Sequence, residues 1–185
     1  GFLFLYMSSY PLSLAQREIF REALLFPASA VHTVASQSII TGPIDKVLLA
    51  EALVQLFQRH VALRLSPIIQ KGVVLDRQQQ VRCPDRLLSL HDVSAEPDAW
   101  QSGLSLARAL GQRSIPFNGD VTFRFDLIRI SDTCHIWVGA YHHINMDAWA
   151  NGILMRELAE LYSALVAGRP PCWSEFVDYR MCIDG

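Results

Sequence analysis

The chain has 185 residues, 51% apolar and 18% charged, long enough for one domain that buries roughly two thirds of the surface its unfolded form exposes. That composition excludes disorder, which requires low hydrophobicity and high net charge. Sixteen basic against eighteen acidic residues give a formal charge of −2, without the basic excess that tracking a nucleic-acid backbone demands.

In chain order, GFLFLYM at residues 1–7 is apolar but far short of the roughly 20 residues that span a bilayer. It also lacks the basic stretch and cleavage site of a signal peptide. Met7 suits a natural start, with residues 1–6 a leading segment; a first strand or a hydrophobic tail is the alternative. No later run is long enough for a membrane span. LSLAQREIFREALL at 12–25 predicts an amphipathic helix, with Ser13 as cap and Pro27 closing it. TVASQSIIT at 33–41 predicts a strand ended by Gly42-Pro43. IDKVLLAEALVQLFQRHVALR follows, capped by Asp45, with Leu49, Ala52, Leu53, Leu56 and Phe57 on one stripe. Residues 73–91 read as strand and loop, 97–109 as a helix, and 113–119 as a connection.

The second half is more regular. VTFRFDLIRI at 121–130 and HIWVGAY at 135–141 read as an antiparallel hairpin turning at Asp132-Thr133. From Trp149, Ile153, Leu154, Leu158, Leu161, Tyr162 and Leu165 keep helical spacing until Gly168 and Pro170-Pro171 stop the run. This order predicts an α+β fold with a mixed or antiparallel sheet packed with helices. The cysteines Cys83, Cys134, Cys172 and Cys182 form no CxxC; they read as small hydrophobes in a reducing, cytoplasmic setting. No glycine-rich phosphate loop is present.

One dense polar cluster interrupts the apolar pattern: His142-His143-Ile144-Asn145-Met146-Asp147, between a strand and a long helix. Adjacent histidines on an extended strand end face opposite ways, so only one can project into a given cleft. A neutral imidazole there is either a base at neutral pH or a hydrogen-bonded structural group. Asp147 could orient an imidazole, cap the next helix or pair with a distant arginine. HHxxxD supplies neither the HExxH pattern nor a paired-cysteine site, so no metal is expected. Arg59-His60 and Arg64 are either cations at a solvated helix end or the source of a buried arginine that holds Asp147 ionised. Trp137 and Trp149 read as packing residues.

HHINMDAW resembles the HHxxxDGW signature of nonribosomal peptide synthetase condensation domains. HHxxxD alone is shared with other chloramphenicol acetyltransferase-like acyltransferases, but further landmarks follow in order. PLSLAQREIF is similar to the opening SxAQxxxW motif, with Phe20 in place of tryptophan; the helix at 44–64 is similar to one ending in RHExLR, with Val61 where glutamate is usual. The hairpin runs into the motif, and Phe176-Val177-Asp178-Tyr179 stands where a DY element is expected.

The resemblance implies a chloramphenicol acetyltransferase-like lobe, with residues 1–185 as the N-terminal half of a two-lobed enzyme whose active site lies between lobes. It implies amide formation between an acyl or peptidyl thioester on a donor carrier domain and the amine of an aminoacyl group on an acceptor carrier. Phosphopantetheine would belong to those carriers, with no cofactor bound by this chain, and the C-terminal lobe would be a further partner. His143 would be catalytic, while His142 and Asp147 would be structural, Asp147 held by an arginine for which Arg64 is the candidate. Ala148 and Trp149 would border the substrate channel. Ala148 replaces the motif glycine, which is harmless if the position simply opens a helix and obstructive if it needs positive φ or close approach; Leu65 and Pro67 also depart from the pattern. The histidine pair disfavours a heterocyclisation domain. An epimerisation domain, a general acyltransferase and a non-catalytic carrier-docking lobe are the alternatives.

Overall fold

In the computed structural model, which describes residues 9–70 and 73–172, each helix begins where the sequence supplies a side-chain acceptor. Helix α1 (Leu14–Leu25) opens with a reciprocal box: Ser13 Oγ accepts from the Gln16 N–H at 3.3 Å, and Gln16 Oε1 accepts from the Ser13 N–H at 3.0 Å. Asp45 accepts from the N–H groups of Val47 and Leu48 at 2.9 and 3.0 Å to start α2 (Lys46–Arg59). Asp98 starts α3 (Ala99–Gly111) and Asp147 starts α4 (Ala148–Ala167) in the same way. Gly168 ends α4 at φ 63°, a left-handed conformation that a glycine reaches without a Cβ clash.

The strands are β1 (Ser9–Pro11), β2 (Thr33–Thr41), β3 (Leu65–Gln70), β4 (Val73–Gln80), β5 (Leu88–Asp92), β6 (Phe123–Ser131) and β7 (Cys134–His142). They form a three-stranded antiparallel sheet, β1-β4-β3, and a four-stranded sheet, β2-β7-β6-β5. In the larger sheet β6 and β7 are the expected hairpin, with Ser131 opposite Cys134 and Asp132-Thr133 as its turn. β5 runs parallel to β6, a pairing that needs a crossover, here supplied by α3. The sheet is therefore mixed.

Strand alternation sorts the core into two faces. Phe123, Phe125, Leu127, Trp137 and Tyr141 pack with α2 and α4, whose stripes contribute Leu49, Leu53, Leu56, Leu154, Leu158 and Leu161. Ile128, Ile136 and Val138 pack on the opposite face with Ala107 and Leu110 of α3. A smaller cluster of Leu12, Phe20 and Ile144 joins α1 to the loop after β7.

The second helix is shorter than its periodicity predicts. It ends at Arg59; His60 takes extended angles (φ −95°, ψ 108°), and 61–64 form a 3₁₀ turn before β3. β3 buries Leu65, Ser66, Pro67 and Ile68, so tertiary burial redirects a segment whose local pattern continues the helix. Residues 1–7 and the proposed DY element at 176–179 lie outside the described residues.

Candidate active site

The loop joining β7 to α4 is bound to its surroundings on both sides. The His142 N–H donates to Thr122 O at 2.8 Å, and the His143 N–H donates to His32 O at 2.7 Å. These bonds hold the strand to its last residue and leave the two rings in different surroundings. His142 is buried at 3% exposure, whereas His143 is exposed.

His143 Nδ1 lies 2.9 Å from the carbonyl oxygen of Met146. A carbonyl only accepts, so Nδ1 carries the hydrogen in the neutral ring and Nε2 keeps its lone pair. The loop backbone thus selects the tautomer whose outer nitrogen is a base or hydrogen-bond acceptor.

His142 has a different environment. Its Nδ1 accepts from the Ile144 N–H at 3.2 Å, and its ring lies between Phe117, with centroids 4.2 Å apart, and His32, at 5.8 Å. Burial, reinforced by the neighbouring His32 and His143, pushes its pKa down to about 4. A ring held neutral and enclosed in this way shapes the loop instead of exchanging protons.

The Asp147 carboxylate accepts from the Ala150 N–H at 2.7 Å. It is the N-cap of α4, which places Ala148 at the first helical position. Strand end, exposed histidine and helix cap therefore fall within six residues, 142–147.

A family model of the condensation domain matches residues 7–184. The chain is 32% identical over 162 residues to the nonribosomal peptide synthetase dtxS1 of Metarhizium robertsii, covering 86% of this chain and 2% of that protein. It is 30% identical over 180 residues to an isonitrile lipopeptide synthase of Mycobacterium tuberculosis, covering 94% and 7%. Among solved structures, the starter condensation domain of rhizomide synthetase RzmA superposes with a TM-score of 0.86 at 27% identity, over 96% of this chain and 42% of that one. The chain belongs to the condensation-domain family. It spans about two fifths of that solved domain and a small fraction of the curated synthetases.

Within this condensation domain, Arg64 does not meet the expectation placed on it. Among the described residues no ion pair joins it to Asp147, and Arg64 Nε is buried without a hydrogen-bond partner. Asp147 is exposed, and the helix N-terminus satisfies its carboxylate. Arg59 and His60 turn instead to α4: Arg59 Nε and His60 Nε2 lie 2.9 and 2.8 Å from Glu157 Oε2. They tie the end of α2 to the middle of α4. Ala148 is the first residue of α4, a helical position that alanine suits. Trp137 is a core residue, but Trp149 is 79% exposed beside the loop, which corrects its reading as a packing residue.

Sequence reasoning gave no role to Gln16, Thr122 or Asn145, although Asn145 lies in the polar cluster. Gln16 Nε2 donates to Ile144 O at 3.1 Å and contacts Asn145 Oδ1 at 3.4 Å. Asn145 Nδ2 donates to Leu65 O at 2.7 Å and to Thr122 Oγ1 at 3.0 Å. The signal for Gln16 was its place in the AQ motif; nothing in the sequence tied Asn145 to residues 80 positions away. Among the described residues no group of His, Cys, Asp or Glu could hold a metal ion, and no helix is long and apolar enough to cross a membrane.

Proposed function

We propose that this chain is the N-terminal lobe of a condensation domain and carries the histidine for amide formation in nonribosomal peptide synthesis. The observation that carries the reading is the bond from His143 Nδ1 to Met146 O, which leaves the lone pair on Nε2 of this exposed ring. Related solved domains, 25% identical, were captured with C8-CoA and with C8-CoA plus Leu-SNAC, an acyl thioester and an aminoacyl thioester. The donor here would be an acyl or peptidyl thioester and the acceptor an aminoacyl amine, each on the phosphopantetheine arm of a carrier domain.

In the reaction the amine nitrogen attacks the thioester carbonyl. A carbon–nitrogen bond forms, the carbon–sulfur bond breaks, and the proton lost by the amine balances the thiolate released. His143 Nε2 accepts a hydrogen bond from the amine, which directs the nitrogen lone pair at the carbonyl. An α-amine with a reference pKa near ~8 is partly unprotonated at neutral pH and requires little help from a strong base, so positioning is the larger contribution. His142 and Asp147 hold the loop, while Ala148 and the exposed Trp149 border the approach to His143. The C-terminal lobe would supply the opposite wall, and cytoplasmic carriers would deliver both substrates.

The test is a condensation assay with acyl-loaded donor carrier and aminoacyl-loaded acceptor carrier. It compares this chain alone, the chain extended through a second lobe, and the extended chain with His143→Ala. Amide formation by the extended chain that His143→Ala abolishes supports the reading; absence of amide, or an unchanged rate in the variant, overturns it.

A further inference from the structure

Asn145 occupies a motif position that HHxxxD leaves open, yet its side-chain amide meets three separate parts of the fold. Because the Leu65 carbonyl only accepts, the atom 2.7 Å from it is the amide nitrogen. The same NH2 group donates to Thr122 Oγ1, just before β6. The amide oxygen consequently faces Gln16 Nε2, whose own orientation is fixed by its bond to Ile144 O and by the Ser13 N–H on its oxygen. Asn145 thus joins the smaller sheet, the larger sheet and α1 at one point. That point is immediately before Met146, the residue whose carbonyl sets the His143 tautomer.

We propose that Asn145 is a positioning residue for His143, acting through the Met146 carbonyl. The loop between His143 and Asp147 is short: the cap of α4 fixes its far end, the Asn145 N–H donates to His142 O at 3.2 Å, and the Asn145 side chain supplies the remaining bonds to other elements. Releasing the Asn145 amide lets the Met146 peptide rotate away from His143 Nδ1. The ring then loses the bond that keeps hydrogen on Nδ1, and the population with hydrogen on Nε2 rises. That tautomer presents a donor where the amine needs an acceptor. Placement matters as well, since misplacing a reacting group by about 1 Å can cost about 100-fold in rate. The catalytic part of this inference rests on the proposed role of His143.

Two measurements on Asn145→Ala and Asn145→Asp separate the alternatives. Asp keeps the shape but cannot donate to the Leu65 carbonyl, while its carboxylate can still accept from the Thr122 hydroxyl. In the full chain with isotopically labelled histidine nitrogens, long-range proton–nitrogen correlation reports which nitrogen of neutral His143 is protonated. In the extended condensation domain, steady-state assays separate kcat from the KM of the aminoacyl acceptor. The expected result is a shift of His143 away from the Nδ1–H form, with kcat lowered about tenfold or more and acceptor KM within about twofold of wild type. Wild-type tautomer in both variants, or a loss confined to KM, overturns the proposal. Should both variants fail to fold, Thr122→Val removes one acceptor at nearly constant shape; a shifted tautomer supports the proposal and an unshifted one overturns it. The tautomer measurement needs no turnover, so an inactive wild-type domain would refute the proposed function without deciding this point.

Discussion

The Nδ1 of His143 donates to the carbonyl of Met146 across 2.9 Å, so a histidine and a backbone oxygen three residues later fix the free nitrogen of the site. In many enzymes a carboxylate orients the imidazole. Here the acidic residue of the motif, Asp147, is occupied at the helix N-terminus by the Ala150 N–H.

The first prediction concerns His143 itself. His143→Ala in the extended domain should lower the amide-forming rate by about 100-fold or more, the scale of losing a group that positions the reacting amine. The exposed ring makes few packing contacts, so the thermal midpoint should stay close to wild type. Product analysis and a melting curve on the same preparation check both parts.

The Asp147 cap predicts a stability effect separate from any charge pairing. Asp147→Ala should cost about 1 kcal/mol, lowering the melting temperature by about 2–4 °C for a chain of this size. Asp147→Asn, which keeps a capping oxygen, should retain most of the stability. Arg64→Ala should not reproduce the loss of the cap. Thermal denaturation of the three variants tests this division.

His142 predicts a pH dependence of folding. Its folded pKa of about 4 lies below the unfolded value of ~6.5, so between these limits the unfolded chain binds a proton that the folded chain excludes. Its neutral burial is therefore without penalty above about pH 6.5, and stability falls as pH drops from there toward 4, by up to about 1.4 kcal/mol per pH unit. His142→Asn keeps an acceptor for the Ile144 N–H and removes the titration. Denaturant midpoints at pH 7 and pH 5 should fall less in the variant than in wild type.

Gly139 and Tyr141 predict a coupled pair. A Cβ at Gly139 would lie 2.9 Å from the Tyr141 hydroxyl and 3.3 Å from Ser36 Oγ. Gly139→Ala should destabilise the chain by about 1–3 kcal/mol through overpacking. The Tyr141 hydroxyl is buried with no hydrogen-bond partner among the described residues, so Tyr141→Phe should be neutral or stabilising. The double variant should recover part of the Gly139→Ala loss. Chemical denaturation of the four proteins forms the cycle that measures this coupling.

Much of the fold follows local rules that were legible in advance. Ser13, Asp45, Asp132-Thr133 and Gly168 mark starts, a turn and a stop through their own backbone chemistry, and the structure uses each of them so. The strand at Thr33–Thr41 was legible for the same reason. β3 was hidden because LSPIIQ carries no alternation of its own; it becomes a strand by pairing with β4 and burying Leu65 and Ile68. Trp149 was misread because helical spacing does not reveal which side of a helix end has a neighbour.

The sequence by itself determined the helices with their caps, the central hairpin and the motif that holds His143 and Asp147, because these depend on short spacings and local hydrogen bonds. Through ordered landmarks it also pointed to the condensation-domain family. Tertiary structure decided what each polar group does. It buried His142 between Phe117 and His32, turned Arg59 and His60 to Glu157 of α4, and brought Gln16, Leu65 and Thr122 to Asn145. Those partners lie up to 129 positions apart, and a side chain's hydrogen bonds across such distances are set only when packed sheets and helices bring the segments together.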